Sequence, residues 1–304
     1  MHRFLAVPVM LLGMSSGQLF AQVTLELKHP PDSKSVNETT VKTHQILTLA
    51  GMDIETKSNT FSIASKTIGK RADDGSLSVQ EKVDVLQTQI ELPAGIKIQF
   101  DSANPDKKAD IAVLEPLMER LRVTFKNPVT TVLDAMNKVK EIQFPAGVAE
   151  SVDASNKSLF DPIKRKKAAE QARGYLPDAA VKPAETWERA TEADFGSGQT
   201  MAFRIKYTYV GSIEQDGRTL DKIVGKVFEV NYSVEQGNAA FGVSKSDLKV
   251  TESDETILFD RELGAVRQLT KKLRIEGPLT LVINGMELAG KLDLTIQENT
   301  KRQQ

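Results

Sequence analysis

The sequence predicts a mainly β fold of the α+β kind, with antiparallel, curved meander sheets in two similar halves joined by a helical connector. Three observations carry this expectation. Residues 201–209 alternate strictly between apolar and polar, acidic-glycine and Asn-Gly pairs punctuate the alternating runs, and only two segments show helical spacing or helical punctuation.

In chain order, the first strand pair is read from Phe61 to Lys70 and from Leu77 to Ile90, separated by Asp73-Asp74-Gly75. Leu114, Leu117, Met118 and Leu121 then fall at i, i+3, i+4 and i+7, one face of a short amphipathic helix. A second helix is expected over Asp161–Arg173. Asp161 is suited to cap the free N–H groups, Pro162 fits the first helical position, and Gly174 suits the end.

The C-terminal part is read as a meander. Met201, Phe203, Ile205, Tyr207 and Tyr209 form one apolar row, with Ala202, Arg204, Lys206 and Thr208 on the other face. Gln215-Asp216-Gly217-Arg218 is a hairpin turn signal, and the partner strand is expected to align Val224, Phe228, Val230, Tyr232 and Val234. Three further strands are expected: Val266 to Ile275, then Leu279 to Ile283, then Met286 to Ile296 after Asn284-Gly285. The strand, acidic-glycine turn, strand order of residues 61–90 repeats in residues 201–234, and Ile98–Asp101 echoes Ile257–Asp260. Internal duplication and turn chemistry common to all meanders both account for this.

The expected organisation is an export signal over 1–21, an N-terminal β-rich half over 22–145, a connector over 146–183, and a C-terminal half over 184–300. The signal rests on Arg3, the apolar run Phe4–Met14 and the small residues leading to Ala21. That run is shorter than the roughly 20 residues a membrane-spanning helix needs. The protein is therefore expected to be periplasmic or extracellular, and soluble after cleavage.

Charge and composition exclude several classes. With 40 basic and 41 acidic residues the chain is near-neutral, which argues against nucleic acid and against strong attraction to anionic membranes. There is no cysteine, so neither a disulfide framework nor a thiol-linked lipid anchor is available. No phosphate-cradling glycine motif occurs. His29 and His44, the histidines outside the signal, are read as surface residues and lack the spacing of a metal pair. The acid pairs Asp53/Glu55, Asp73/Asp74, Asp254/Glu255 and Asp260/Glu262 are read as solvated turn acids. Lys164-Arg165-Lys166-Lys167 is read as the solvated face of a helix. No catalytic residue, metal ligand or cofactor is assigned. Trp187 is expected to plug the junction between connector and second sheet. With Met201, Phe203, Tyr207 and Tyr209 it is also a candidate ligand-contacting residue.

The segment Leu176-Pro177, Val181-Lys182-Pro183 and Thr186-Trp187 resembles a recurrent feature of exported bacterial proteins of unknown function. Ala184 and Glu185 stand where that feature often carries a glycine. The resemblance continues through Tyr207-Thr208-Tyr209 with Asp216-Gly217, and into Ile257–Asp260 with Gly264, and so covers most of the chain. It implies an exported, non-enzymatic, two-part β-rich protein. More remotely, the pattern around Phe259–Gly264 is similar to envelope proteins that curve an antiparallel sheet around a helix to hold lipid or lipoprotein acyl chains. The functional expectation is an exported, non-catalytic binding or structural protein of the bacterial envelope, its partner an envelope protein or an apolar ligand. A carrier of an apolar ligand inside a curved sheet is the alternative, and a secreted hydrolase the third reading.

Overall fold

The computed structural model describes residues 22–152, 157, 159–196, 199–234, 242–283 and 285–303. The expected export segment, Ser197-Gly198 and Asn284 lie outside the described residues. The first half contributes β1 (Ser33–Leu49), β2 (Met52–Arg71), β3 (Leu77–Glu91), β4 (Lys97–Asp101), β5 (Val129–Leu133) and β6 (Val139–Gln143), with helix α1 (Glu115–Lys126) between β4 and β5. Helices α2 (Val148–Ser151) and α3 (Pro162–Gln171) follow. The second half is β7 (Thr186–Gly196), β8 (Gln199–Gln215), β9 (Arg218–Val234), β10 (Gly242–Ser246), β11 (Lys249–Asp260), β12 (Ala265–Ile283) and β13 (Met286–Arg302).

Among the described residues these strands form one antiparallel, curved, open sheet in the order β6-β5-β3-β2-β1-β13-β12-β11-β9-β8-β7, with β4 on β3 and β10 on β12. The pairing of β1 with β13, from Asn37↔Arg302 to Leu49↔Gly290, runs the sheet unbroken from the first half into the second. The two ends of the order, β6 and β7, meet the same helix. Lys166 Nζ of α3 donates to Lys140 O of β6 at 3.2 Å, and Lys167 Nζ reaches Glu192 of β7 at 3.1 Å. The sheet thus curls far enough for α3 to bar the gap between its edges. The basic run read as a solvated helix face supplies two of the ties.

Local chemistry explains the elements that match expectation. Asp161 Oδ1 accepts from the N–H groups of Ile163 at 2.8 Å and Lys164 at 3.2 Å, and so caps α3. Asp216 and Gly217 take φ of 50° and 71°, the doubly left-handed geometry of a type I′ turn, and pair Gln215 with Arg218. Helix α1 buries Met118 against Leu86, Ile98 and Phe100.

Three expectations about strands are corrected. Residues 266–283 form one strand, because Gly277-Pro278 marks a change of partner and not a turn. Up to Glu276, β12 pairs with β11, and from Leu279 with β10, so the missing N–H of Pro278 falls where no ladder bond is needed. Pro278 O still accepts from Asp247 N–H at 3.0 Å, and a side chain at Gly277 would run into Asp247 O. Next, Val224 and Phe228 do not share a face with Val230 and Tyr232. A bulge opposite Arg204 and Ile205 inserts an extra residue, so Ile223 and Val227 point inward before it and Val230 and Tyr232 after it. Phe228 is left outside, under the Arg204 guanidinium. Finally, β1 and the start of β2 were not expected as strands, since Thr, Lys, Ser and Asn fill both of their faces.

The largest apolar cluster lies on the concave face of the second half. Ile223, Ile257, Phe259, Leu273 and Ile275 are essentially inaccessible there. The segment before β1 runs into this concavity: Val23 bridges Val181 in antiparallel fashion, and Leu25 is buried in the same cluster. Burying a leucine this completely contributes about 1.5–3 kcal/mol, so Leu25 ties the segment to the interior while Thr24 and Glu26 stay exposed.

Candidate functional site

The inward faces of the strands align in rungs that cross the sheet. One rung reads Trp187, Tyr207, Gly225, Glu255, Lys271, Glu298, Val41, each residue directly opposite the next. It places three charged side chains, Glu255, Lys271 and Glu298, in line on the wall of a cavity of about 970 Å³. The opposite wall is built from Leu27, Arg173 and Tyr175, carried by the N-terminal segment and the chain leaving α3.

Glu255 is 8% exposed, and its Oε2 has no hydrogen-bond partner. Burial raises its pKa from the ordinary value, Lys271 opposes that shift, and Glu298 adds to it. The Tyr207 phenol is likewise pushed up, first by burial and then by Glu255. Glu255 was expected as a solvated turn acid. It lies inside β11 in phase with Ile257 and Phe259, and that two-residue phase was the signal available in the sequence. Asp260 is a second correction. It is 5% exposed and accepts from Leu263 N–H at 2.9 Å and Arg267 Nε at 3.0 Å. Asp74 does lie in a turn, where it accepts from Ser76 N–H at 2.9 Å, and hydrogen bonding from Ser76 and Lys140 lowers its pKa to about 2.

Further along the inward face lies a second cavity, of about 400 Å³, walled by Leu281, Leu292, Leu294 and Ile296 with Met201 and Tyr232 across from them. Thr43, Gln45 and Gln199 are its polar members. The five candidate ligand-contacting residues therefore separate. Met201 lines the apolar cavity and Tyr207 the larger one. Phe203 and Tyr209 are buried in the main cluster, and Tyr209 donates its hydroxyl to Asp221 at 2.8 Å. Trp187 stacks on Tyr207 with ring centroids 5.9 Å apart, and its buried Nε1 has no partner.

The histidines part company as well. His44 Nε2 lies 2.7 Å from Glu55 on an exposed face. His29 was expected at the surface, but both its ring nitrogens are buried without partners. Burial, then Lys66, Arg173 and Arg71, lower its pKa to about 4. The cause lies in the segment carrying it, which is drawn inside the curl. Among the described residues no group of three or more His, Asp or Glu is placed to hold a metal ion. No helix among them is long and apolar enough to cross a membrane.

The class these observations define is a curved antiparallel sheet with cavities on its inner face. No family model and no curated protein matches the chain. Among solved structures it is similar to lipovitellin, from a study titled for lipid–protein interactions, at 10% identity and a TM-score of 0.38. That match covers 91% of this chain but 26% of lipovitellin, so the chain spans about a quarter of that protein. A DUF1329 family protein from Desulfovibrio piger is similar at 7% identity and a TM-score of 0.13, over 85% of this chain and 83% of that one. The outer membrane protein OprG of Pseudomonas aeruginosa is similar at 6% identity and a TM-score of 0.21, over 92% and 99%. At such scores these likenesses carry no argument about ancestry or ligand.

Proposed function

We propose that the protein is an exported, non-catalytic carrier that holds an apolar or amphipathic ligand on the inner face of its curved sheet. The observation that supports this reading is the cavity walled by Leu281, Leu292, Leu294 and Ile296. Its volume of about 400 Å³ lies in the range of roughly 300–1,000 Å³ typical of small-molecule sites, and its walls carry few polar groups. Such rows are also what any packed sheet needs, so the pattern of alternation alone does not favour a carrier. What favours it is that side chains leave this part of the concavity unfilled, whereas Leu25 and Val181 fill its neighbour.

The test uses the neutral, apolar fluorophore N-phenyl-1-naphthylamine. Saturable binding to the wild type, abolished by Leu294→Trp, supports the reading. Leu294→Trp fills the cavity from the β13 side, and Leu281→Trp does so from β12 if the first variant does not fold. An absence of saturable binding, or binding indifferent to both substitutions in folded protein, overturns it.

A further inference from the structure

The inward row of β13 changes character along its length. Leu292, Leu294 and Ile296 wall the apolar cavity, Glu298 lines the large mixed cavity, and Arg302 lines a third, of about 260 Å³. From Leu294 to Arg302 is eight residues of strand, or about 27 Å. The mixed and third cavities share Leu27, Ala172, Arg173 and Tyr175 in their walls, so they are two sides of one partition.

The third cavity carries excess positive charge. Lys66, Arg173 and Arg302 line it, and Glu81, its acidic member, is taken by Lys66 at 3.1 Å. Among the described residues neither Arg173 nor Arg302 forms an ion pair. Arg173 donates to a backbone carbonyl, Asn137 O, at 2.5 Å, with Glu81 and Glu170 acting on it from farther away. Asp260 is the carboxylate acting on Arg302, and Arg267 already holds it. Burial lowers the pKa of both arginines, which is the cost of drawing a guanidinium partly out of water with no carboxylate paired to it. A planar fork of donors left in this state matches phosphate or carboxylate oxygens.

We propose that the pocket of Arg173 and Arg302 takes the anionic head, a phosphate or a carboxylate, of an amphiphile whose apolar part lies toward Leu292–Ile296. This assignment rests on the carrier reading and adds a polarity and an orientation to it. The tail lies along the middle of β13 and the head at its last residue.

The experiment displaces N-phenyl-1-naphthylamine with octadecyl phosphate, octadecanoate or uncharged octadecanol, whose extended chains are long enough to run from Arg302 back to Ile296, beside a calorimetric titration with inorganic phosphate. Wild type and R173Q/R302Q are compared, with R302Q alone at the strand end if the double variant does not fold. The expected result is that the two anionic amphiphiles displace the probe at concentrations about tenfold below octadecanol, and that the advantage disappears in the variant while octadecanol is unaffected. Equal displacement by all three on wild type overturns the head-group assignment and leaves the carrier reading standing. Failure of the probe itself to bind overturns the carrier reading. Inorganic phosphate binding that R173Q/R302Q abolishes, without any preference among amphiphiles, assigns the pocket to a free anion and overturns the head-group assignment.

Discussion

Gly225 of β9 stands directly opposite Glu255 of β11, and a Cβ at Gly225 would lie 2.8 Å from Glu255 Oε2 and 2.9 Å from the Tyr207 ring. The glycine is therefore the space that lets a carboxyl and a phenol flank one cavity wall. Gly225→Ala is expected to destabilise the fold by about 1–3 kcal/mol through overpacking. Gly69→Ala, where the nearest atom would be at an ordinary 3.6 Å, is expected to change stability far less. Urea midpoints for the two variants check this, and equal midpoints would count against the crowding.

Glu255 itself sets a pH dependence. Its folded-state pKa lies above the ordinary 4.5, so the folded protein holds a proton that the unfolded chain gives up first. Stability is therefore lost as pH rises from about 4.5 through the folded value, and the loss is complete above it. Lys271 and Glu298 face the same carboxyl and remain in the variant. Between about pH 4 and pH 8, Glu255→Gln is expected to gain on wild type as pH rises from about 4.5 through the folded-state value, and to hold that gain above it. A constant difference in unfolding free energy across that range would mean that Glu255 does not titrate in this window.

The sequence made the second half far more legible than the first, and the reason is physical. Residues 201–209 face a core on one side and water on the other, so they alternate cleanly. In β1, Thr39, Thr43 and Gln45 face the interior where it is polar or open, so the two faces of that strand read alike. Bulges break the link between spacing and face, which is how Phe228 was placed with Val230. The candidate site was legible only in Met201 and Tyr207. Arg173 and Arg302 sit at the ends of a helix segment and a strand, where a lone arginine reads as solvated, and only the curl of the sheet brings them to one pocket.

His29 is expected to oppose Glu255 in the pH profile. Its folded pKa of about 4 lies below the ordinary 6.5, so between these values the unfolded chain binds the extra proton. Stability is complete above about pH 6.5 and is lost as pH falls toward 4, by no more than about 2 kcal/mol once solvent screening is allowed for. His29→Leu removes the titrating group and is expected to flatten the acid side of the profile. An unchanged slope between pH 6.5 and 4, read from urea unfolding, would place the acid sensitivity elsewhere.

Asp221 is 2% exposed and gathers Tyr209, Ser212 and Arg261. Tyr209 Oη and Ser212 Oγ donate to Oδ1 at 2.8 and 3.0 Å, and Arg261 Nε donates to Oδ2 at 2.9 Å. This ties the turn after β11 to the hairpin of β8 and β9. Removing the arginine leaves a buried carboxylate with two hydroxyls, whereas fully buried pairs cost roughly 3–5 kcal/mol to break this way. Arg261 is 42% exposed, so Arg261→Gln is expected to cost less, about 2 kcal/mol. Calorimetric melting of Arg261→Gln beside Arg204→Gln, an exposed pair with Glu188 at 2.9 Å, separates the two situations. Equal losses would mean that the burial of Asp221 adds nothing.

The cap of α3 links stability to the closure of the curl. Asp161 satisfies two N–H groups at the start of a helix whose flank ties β6 to β7 through Lys166 and Lys167. Asp161→Ala is expected to cost about 1 kcal/mol, the usual value for a lost N-cap. The loss is expected to be local, because α3 buries no residue completely and the strands keep their ladders without it. Amide exchange should accelerate in residues 162–171 and at the α3-facing ends of β6 and β7, while the β1–β13 pairing that joins the halves stays protected. Uniform acceleration across the sheet would instead make the helix part of one cooperative unit with the strands, and the bar between the two edges would then be a condition of the fold.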